Sequence, residues 1–352
     1  CSSPVIEPVL AVEVPTVSRP CWLGFWAEQK LPAAMSKSSR SMEKRGNMKN
    51  RKPTGLVMAT SSGARPTLKD FHPRRKIVSR MPCRSLLTHG TSFVRMKLLL
   101  VDGHYYLYRS FFAIRGLKNS RGEPTNAIYG YAKALRKMLS DIRPDRAAVI
   151  WDAGLPARRV ALQPAYKQNR SAMPDDLRPQ EDWLQRHVSL FGPASFSAPD
   201  TEADDLIATY ATAAAREGAE VVIATNDKDI LQLASENIKI YSTVKTDIVE
   251  GSFALLGVPE VTKKWGVPPH LIGDILALTG DASDNIPGVP GIGSKTAVSL
   301  IQEHGSLNEI LVQPERITNP RLREKITYSK NLILANREMV RLDDDLPMAQ
   351  SW

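Results

Sequence analysis

Three carboxylates fall within four residues at Glu202-Ala-Asp204-Asp205, directly after the breaker Pro199 and directly before an alanine-rich run that ends near Gly218. Thr201 with Asp204 three residues on has the pattern of a capped helix start, where acids also suit the helix dipole. Capping accounts for this segment taken alone. It does not account for Asp102, Asp152, Asp227, Asp229, Asp281 and Asp284, which recur at the ends of apolar runs and on loops. Carboxylates brought together repel strongly unless cations hold them, and an all-oxygen set suits a hard divalent metal. The chemistry such a cluster offers is metal-ion activation of water.

The elements that must gather these acids are legible. Lys97-Leu-Leu-Leu-Val101-Asp102-Gly103 is an apolar run closed by Asp-Gly, the pattern of a buried strand with a carboxylate at its carboxyl end. Ala147-Ala-Val-Ile-Trp151-Asp152 and Glu220-Val-Val-Ile-Ala224-Thr-Asn-Asp227-Lys-Asp229 repeat it. Buried strands separated by helical runs predict an α/β fold with a mostly parallel sheet, whose site lies outside the carboxyl ends of the strands. All three strands deliver aspartates to that edge. Between the second strand and Glu202, Arg158-Arg159 and Tyr166-Lys167-Gln-Asn-Arg170 are followed by Pro174 and Pro179, which predicts a mobile excursion above the acids. Cations with an interleaved aromatic suit a nucleic-acid strand, and equally an ordinary solvated loop.

A short strand is predicted over 238–241, after which the chain turns helical. An apolar helix over 271–278 ends in Gly280-Asp281-Ala-Ser-Asp284-Asn285, a spacing that puts both acids on one side of a turn. Gly288, Gly291 and Gly293 then precede Ser294-Lys295-Thr296, glycines opening a helix, where free amides bind phosphate and Lys295 adds charge. This is not a P-loop, because no buried strand precedes it and the spacing differs. Asp343-Asp344-Asp345 lies in a tail between leucines and is read as a solvated turn.

The charge of +10 is carried by the first part of the chain: residues 30–95 hold 16 Lys and Arg against two acids, and the remainder from Met96 is slightly acidic. Any nucleic-acid contact therefore rests on local patches of the core. Residues 1–95, rich in Ser, Pro, Lys and Arg without a sustained period, read as a disordered extension; the Arg- and Ser-rich, acid-poor part over 33–95 resembles a transit peptide, with an upstream extension of no folded role as the preferred reading. All three cysteines precede Met96, so the core has no thiol ligand or nucleophile, which fits a reducing compartment. No apolar run approaches the ~18 residues of a membrane span.

The motifs Leu100-Val-Asp102-Gly-His, Glu202-Ala-Asp204-Asp205, Thr225-Asn-Asp227-Lys-Asp229 and Gly280-Asp281-Ala-Ser-Asp284-Asn285-Ile-Pro-Gly-Val-Pro-Gly291-Ile-Gly293 occur in this order. In this the chain resembles the bacterial 5′-nuclease family, that of the N-terminal nuclease domain of DNA polymerase I and of stand-alone flap endonucleases. The resemblance implies a PIN-like sheet over 96–250, a helical arch, and a helix-hairpin-helix-like DNA-binding module over 251–352. It implies Asp102, Asp152, Glu202, Asp204, Asp205, Asp227, Asp229, Asp281 and Asp284 as metal-site acids. The strand-edge acids with Glu202 and Asp204 would hold one ion, and Asp281 with Asp284 the second. Lys167 and Arg170 match the arch cations that act on the scissile phosphate, Arg159 a further basic position, and Tyr108 the aromatic on which the terminal base stacks. Gly291 and Gly293 match the turn that holds the DNA backbone, where a K⁺ ion is also implied, and Lys295 beside them is read as a further DNA contact. Arg158 stands where the family usually carries an aromatic. The implied cofactor is Mg²⁺ in two or more copies, with Mn²⁺ as a substitute, and the implied partner is flap, nicked or 5′-ended DNA. A monomer acting at the nucleoid in the cytoplasm, with no membrane contact, completes the expectation. Its rivals are a PIN-type ribonuclease, a catalytically inactive DNA-binding module and a Mg²⁺ phosphatase.

Overall fold

The computed structural model describes residues 95–248 and 251–348. The disordered extension expected over 1–95 thus lies, except for Arg95, outside the described residues. Six strands form one sheet: β1 (Lys97–Asp102), β2 (Arg146–Ile150), β3 (Ala194–Phe196), β4 (Glu220–Ala224), β5 (Ile238–Ser242) and β6 (Ala254–Leu256). Their order is β3-β2-β1-β4-β5-β6, parallel throughout except for the antiparallel β5–β6 pair. The chain winds outward from β1 in both directions, so a crevice forms at the carboxyl ends where β1 adjoins β4.

Strand periodicity explains the layers. Successive side chains point to opposite faces, and in β1 Leu99 and Val101 face one apolar cluster while Leu98 and Leu100 face another. Val222 and Ala224 of β4 likewise separate from Val221 and Ile223. Burial on both sides is what makes these strands read as continuous apolar runs. One face packs against α1 (Gly103–Ala113), α2 (Asn126–Ile142) and α4 (Arg178–His187), through Leu107, Tyr131, Leu135 and Leu184. A short α3 (Ala157–Leu162) precedes α4. The other face packs against α5 (Ala203–Arg216).

The same second cluster takes in the helices that follow: α6 (Val258–Trp265), α7 (Ile272–Thr279), α8 (Ser294–His304), α9 (Leu307–Val312), α10 (Pro320–Tyr328) and α11 (Lys330–Val340). Ile275, Leu300, Ile310 and Ile333 are continuous in it with Leu206 and Ile223. The boundary expected at 250 cuts the sheet, because β6 lies beyond it and pairs with β5. Three residues of β6 and of β3 carry too little periodicity to be read from sequence, and pairing with a neighbour decides them. No helix among the described residues is long and apolar enough to cross a membrane.

Candidate metal centre

Asp102 closes β1 and caps α1, accepting from the Tyr105 amide at 2.9 Å and the Thr225 hydroxyl at 2.9 Å. Burial pushes its carboxyl up to about 7, aided by the charges of Asp152 and Asp227, against the pull of those hydrogen bonds. Asp152 follows β2, and its Oδ1 accepts the Ala203 amide at 2.7 Å. The start of α5 is thus capped from another strand: Thr201 donates instead to the Pro199 carbonyl, and Glu202 takes the cap position without a side-chain cap bond. The local cap expected at Thr201 is not formed. Burial works to raise the Asp152 carboxyl, yet His104 at 3.1 Å and the Ala203 amide hold it at about 2. Asp204 in the first turn of α5 is pushed well above the ordinary range by burial and then by Asp227, Asp102 and Asp152. Asp227, after β4, is raised by burial and by Asp284, although the Asp229 amide donates to it at 2.8 Å. Asp102, Asp152, Asp204 and Asp227 share one cleft of about 310 Å³ with His104, Tyr105, Tyr108, Lys167 and Arg170.

Beside it, Asp229, Asp281 and Asp284 place a carboxylate oxygen each within 4.8 Å of one another. Asp229 therefore stands with the second group, whereas the strand-end reading put it with the first. Burial, with Asp227 and Asp281, pushes its carboxyl up to about 8, and its Oδ1 is buried without a hydrogen-bond partner. Burial also opposes ionisation of Asp281, but Lys228 at 2.6 Å and the Ser283 amide keep it below the usual value. Gly280 makes this turn possible: at φ +70° a Cβ there would lie 2.3 Å from the Gly288 nitrogen and 2.4 Å from the Ile286 oxygen. Mutual repulsion in the first set and a buried, unpartnered oxygen in the second are what a divalent cation would relieve, so the residues fit such ions.

Asp205, one of the nine expected ligands, is placed elsewhere. It is 1% exposed, accepts both Nη1 and Nη2 of Arg159 at 2.6 and 2.7 Å, and accepts the Asp343 amide at 3.0 Å. Adjacent helix residues point about 100° apart, so Asp204 and Asp205 serve different sides. Glu202 is also engaged by cations and a phenol: it accepts from Arg159, from Lys167 and from the Tyr166 hydroxyl at 3.1 Å, and it does not line the cleft.

Arg159, expected at DNA, is 3% exposed and also donates to the carbonyls of Met339 at 3.0 Å and Arg341 at 2.8 Å. Arg158 reaches Glu338, Arg341 and Asp343, the last at 3.1 Å. Asp343 is consequently no solvated turn: it holds Arg158 and Arg341 beside the buried Arg159 group.

The excursion over 157–170 is docked on the Asp281 turn rather than free of it. Asn285 Nδ2 donates to Ala165 at 2.7 Å, Asn169 Nδ2 to Ala282 at 2.8 Å, and the Lys167 amide to Asp284 at 3.1 Å. Lys167, at φ +56°, buries its ammonium between Glu202 and Asp284, 3.7 Å from the latter. Arg170 pairs with Asp284 from a half-exposed position. Tyr108 stacks on Phe112 at 6.4 Å. Gly291 and Gly293 precede α8, whose N-terminus has no side-chain cap, and Lys295 is exposed in its first turn. That turn does not line the acid cleft. A Cβ at Gly291 (φ +74°) would meet Lys325 Nζ at 2.3 Å, which puts an ammonium of α10 against the turn.

Sequence reasoning passed over His104, which bridges Asp152 at 3.1 Å and Glu181 at 2.7 Å and is pushed up to about 10 by them against the effect of burial. It passed over Lys228 too. Their signal was adjacency to a strand-end aspartate, which is too common to single out a residue.

The chain matches the family described as 5′-3′ exonuclease, N-terminal resolvase-like domain, over residues 97–266, and the 5′-3′ exonuclease C-terminal SAM fold over 267–352. It belongs to the 5′-3′ exonuclease family. DNA polymerase I of Rhizobium leguminosarum is 39% identical over 259 residues, 71% of this chain and 25% of that protein. Thermostable DNA polymerase I of Thermus thermophilus is 40% identical over 253 residues, 72% and 29% respectively. The chain therefore spans between a quarter and a third of the length of these relatives. Among solved structures, a bacteriophage T5 5′-exonuclease with bound zinc is similar in fold, with TM-score 0.58 at 21% identity over 70% of this chain and 90% of that one. A T5 flap endonuclease in a pseudo-enzyme-product complex with DNA and metal ions gives 0.57 at 21%, over 71% and 89%. The two family models between them take in the mostly parallel sheet and the C-terminal helices, and the T5 structure shares that fold.

Proposed function

We propose that the chain hydrolyses DNA phosphodiester bonds at 5′ ends and 5′ flaps, using two divalent ions, Mg²⁺ with Mn²⁺ as a substitute. The observation that carries this reading is the pair of adjoining carboxylate groups at the β1–β4 crevice. Asp102, Asp152, Asp204 and Asp227 would hold one ion, and Asp229, Asp281 and Asp284 the other. Bound there, the ions would supply an activated water and a neutralised leaving oxygen. Lys167 and Arg170, which line the cleft, would meet the charge that grows on the scissile phosphate. Tyr108 offers the ring against which an unpaired terminal base stacks. The uncapped start of α8, with Gly293, Lys295 and the neighbouring Lys325, faces the backbone of the duplex, and a K⁺ ion at the Gly291 turn would share that contact. The proposed acting form is a monomer, and the proposed place of action is the nucleoid. The T5 relatives, one with zinc and one with DNA and metal ions, support metal and DNA as ligands here.

The test is cleavage of end-labelled flap, nicked duplex, single-stranded DNA and RNA, with and without Mg²⁺. Cutting confined to 5′-ended DNA and dependent on the metal is the expected result. Asp227→Asn should lower the rate by at least about a hundredfold and leave flap binding within a few-fold. Preference for RNA would replace the reading with a ribonuclease, and a near wild-type rate in Asp227→Asn would remove the metal assignment.

A further inference from the structure

Lys228 stands between the two carboxylate groups in the chain, and its charge reaches both. Asp227 before it belongs to the cleft set and Asp229 after it to the second set, because Lys228 opens the short helical turn Asp229–Leu233 that follows β4. Its ammonium lies 2.6 Å from Asp281 Oδ1, with the lysine side chain 35% and the aspartate side chain 5% exposed. Burial pushes the Asp227 and Asp229 carboxyls up, and the same ammonium works against that rise. Lys167 and Arg170 line the acid cleft, whereas Lys228 does not. It is therefore not placed with the cations proposed to meet a phosphate there.

Asp281 does not need this partner to hold its place. Its amide and carbonyl pair with Ile286 at 2.8 and 2.7 Å, Gly280 shapes the turn before it, and its Oδ1 also accepts the Ser283 amide at 2.9 Å. What Lys228 adds is charge. Asp284 likewise has cations at hand, Arg170 and, at 3.7 Å, Lys167, while the buried Asp229 Oδ1 has no partner. A divalent ion among Asp229, Asp281 and Asp284 would thus share Asp281 with an ammonium. Like charges a few ångströms apart repel, and burial of the acids between them limits the screening.

We propose that Lys228 sets how weakly the Asp229–Asp281–Asp284 group holds its divalent ion, its ammonium competing with that ion for Asp281. The inference rests on the two-ion reading and deepens it. Lys228 acts through Asp281 and touches no reacting atom, so it governs the metal concentration the protein needs rather than the chemical step. The effect is moderate, because an ammonium one-third exposed is screened by water and its stem is flexible enough to swing aside.

Mn²⁺ titration of the full chain without DNA, with the free ion read by electron paramagnetic resonance, tests it. Two classes of site are expected. Lys228→Met should tighten the weaker class about tenfold and leave the stronger within about threefold. Lys228→Gln, which keeps a donor and loses the charge, should do the same, and Lys228→Arg should match wild type. Asp281→Asn added to Lys228→Met should cancel the gain, and Lys263→Met, at an exposed position on α6, should change nothing. In flap cleavage the Mg²⁺ concentration at half-maximal rate should fall in Lys228→Met. Thermal unfolding in EDTA separates a merely structural ion pair, which predicts a lower melting temperature in Lys228→Met and Lys228→Gln with Mn²⁺ affinity unchanged. That result overturns the proposal, as does weaker Mn²⁺ binding in these variants or a gain that survives Asp281→Asn. Wild-type protein that binds no Mn²⁺ overturns the two-ion reading and this inference together, whereas binding that is equal in wild type and variants overturns only the role of Lys228.

Discussion

Replacing Arg159 by methionine separates a structural role from the DNA contact implied by resemblance. The guanidinium is buried with two carboxylates and two carbonyls around it, of which Asp205 is 1% and Glu202 2% exposed. Methionine matches much of the stem volume but leaves Asp205 ionised and without its bidentate partner. Removing one member of a buried ion pair costs about 3–5 kcal/mol. Glu202 is cushioned, because Lys167 and Tyr166 still reach it. For a unit of this size each kcal/mol moves the melting temperature by about 2–4 °C, so Arg159→Met should melt roughly 10 °C lower. Adding Asp205→Leu removes the stranded charge and should recover much of that loss. Thermal unfolding followed by circular dichroism, together with flap-DNA binding well below the melting temperature, makes the comparison. A melting temperature within about 2 °C of wild type, accompanied by tenfold weaker DNA binding, would refute the argument and return Arg159 to the DNA surface.

The raised carboxyls give metal-free protein a characteristic pH dependence. Asp102 at about 7 and Asp229 at about 8 lie above their unfolded value of 3.8, so the folded chain binds more protons than the unfolded one and loses stability as pH rises from about 4 to 8. His104, raised to about 10, acts in the same direction above pH 6.5, while Asp152 at about 2 matters only in stronger acid. Asp102 alone contributes on the order of 4 kcal/mol, so in EDTA the melting temperature should climb as pH is lowered from 8 to 5.5, and saturating Mg²⁺ should flatten that slope; a flat profile without metal contradicts the reading. A Cβ at Gly293 meets no protein atom within 4 Å and the φ of −96° suits any residue, so Gly293→Val should leave the melting temperature unchanged and raise the dissociation constant for nicked and flap duplex; equal weakening on single strands would count against the turn as a duplex contact. Lys167→Ala should slow single-turnover cleavage about a hundredfold while binding in Ca²⁺ changes little, and an unchanged rate would leave Arg170 as the cation that meets the phosphate.

What sequence alone decided was the set of strand-end acids and the sheet that carries them. Asp102, Asp152 and Asp227 follow apolar runs whose burial on both faces is written in their composition, and a parallel sheet sends such ends to one edge. Asp281 and Asp284 were legible as a pair because a spacing of three after the apolar helix puts both on one side of a turn, and the structure adds that only glycine fits at position 280. The partition of the acids was not legible. Asp204 and Asp205 are neighbours in the chain, and only packing of α5 against the Arg159 helix and the Asp343 tail decides which of them faces the crevice. Asp229 sits two residues from Asp227 yet joins Asp281 and Asp284, because the short helical turn after β4 swings it toward α7. Arg159 looks in sequence like its neighbour Arg158 and like Lys167, and its burial depends on acceptors some 40 and 180 residues away. Composition and spacing fix which chemistry a chain can assemble; the charge partner of each buried group is a property of contacts distant in sequence, and only the folded chain brings those together.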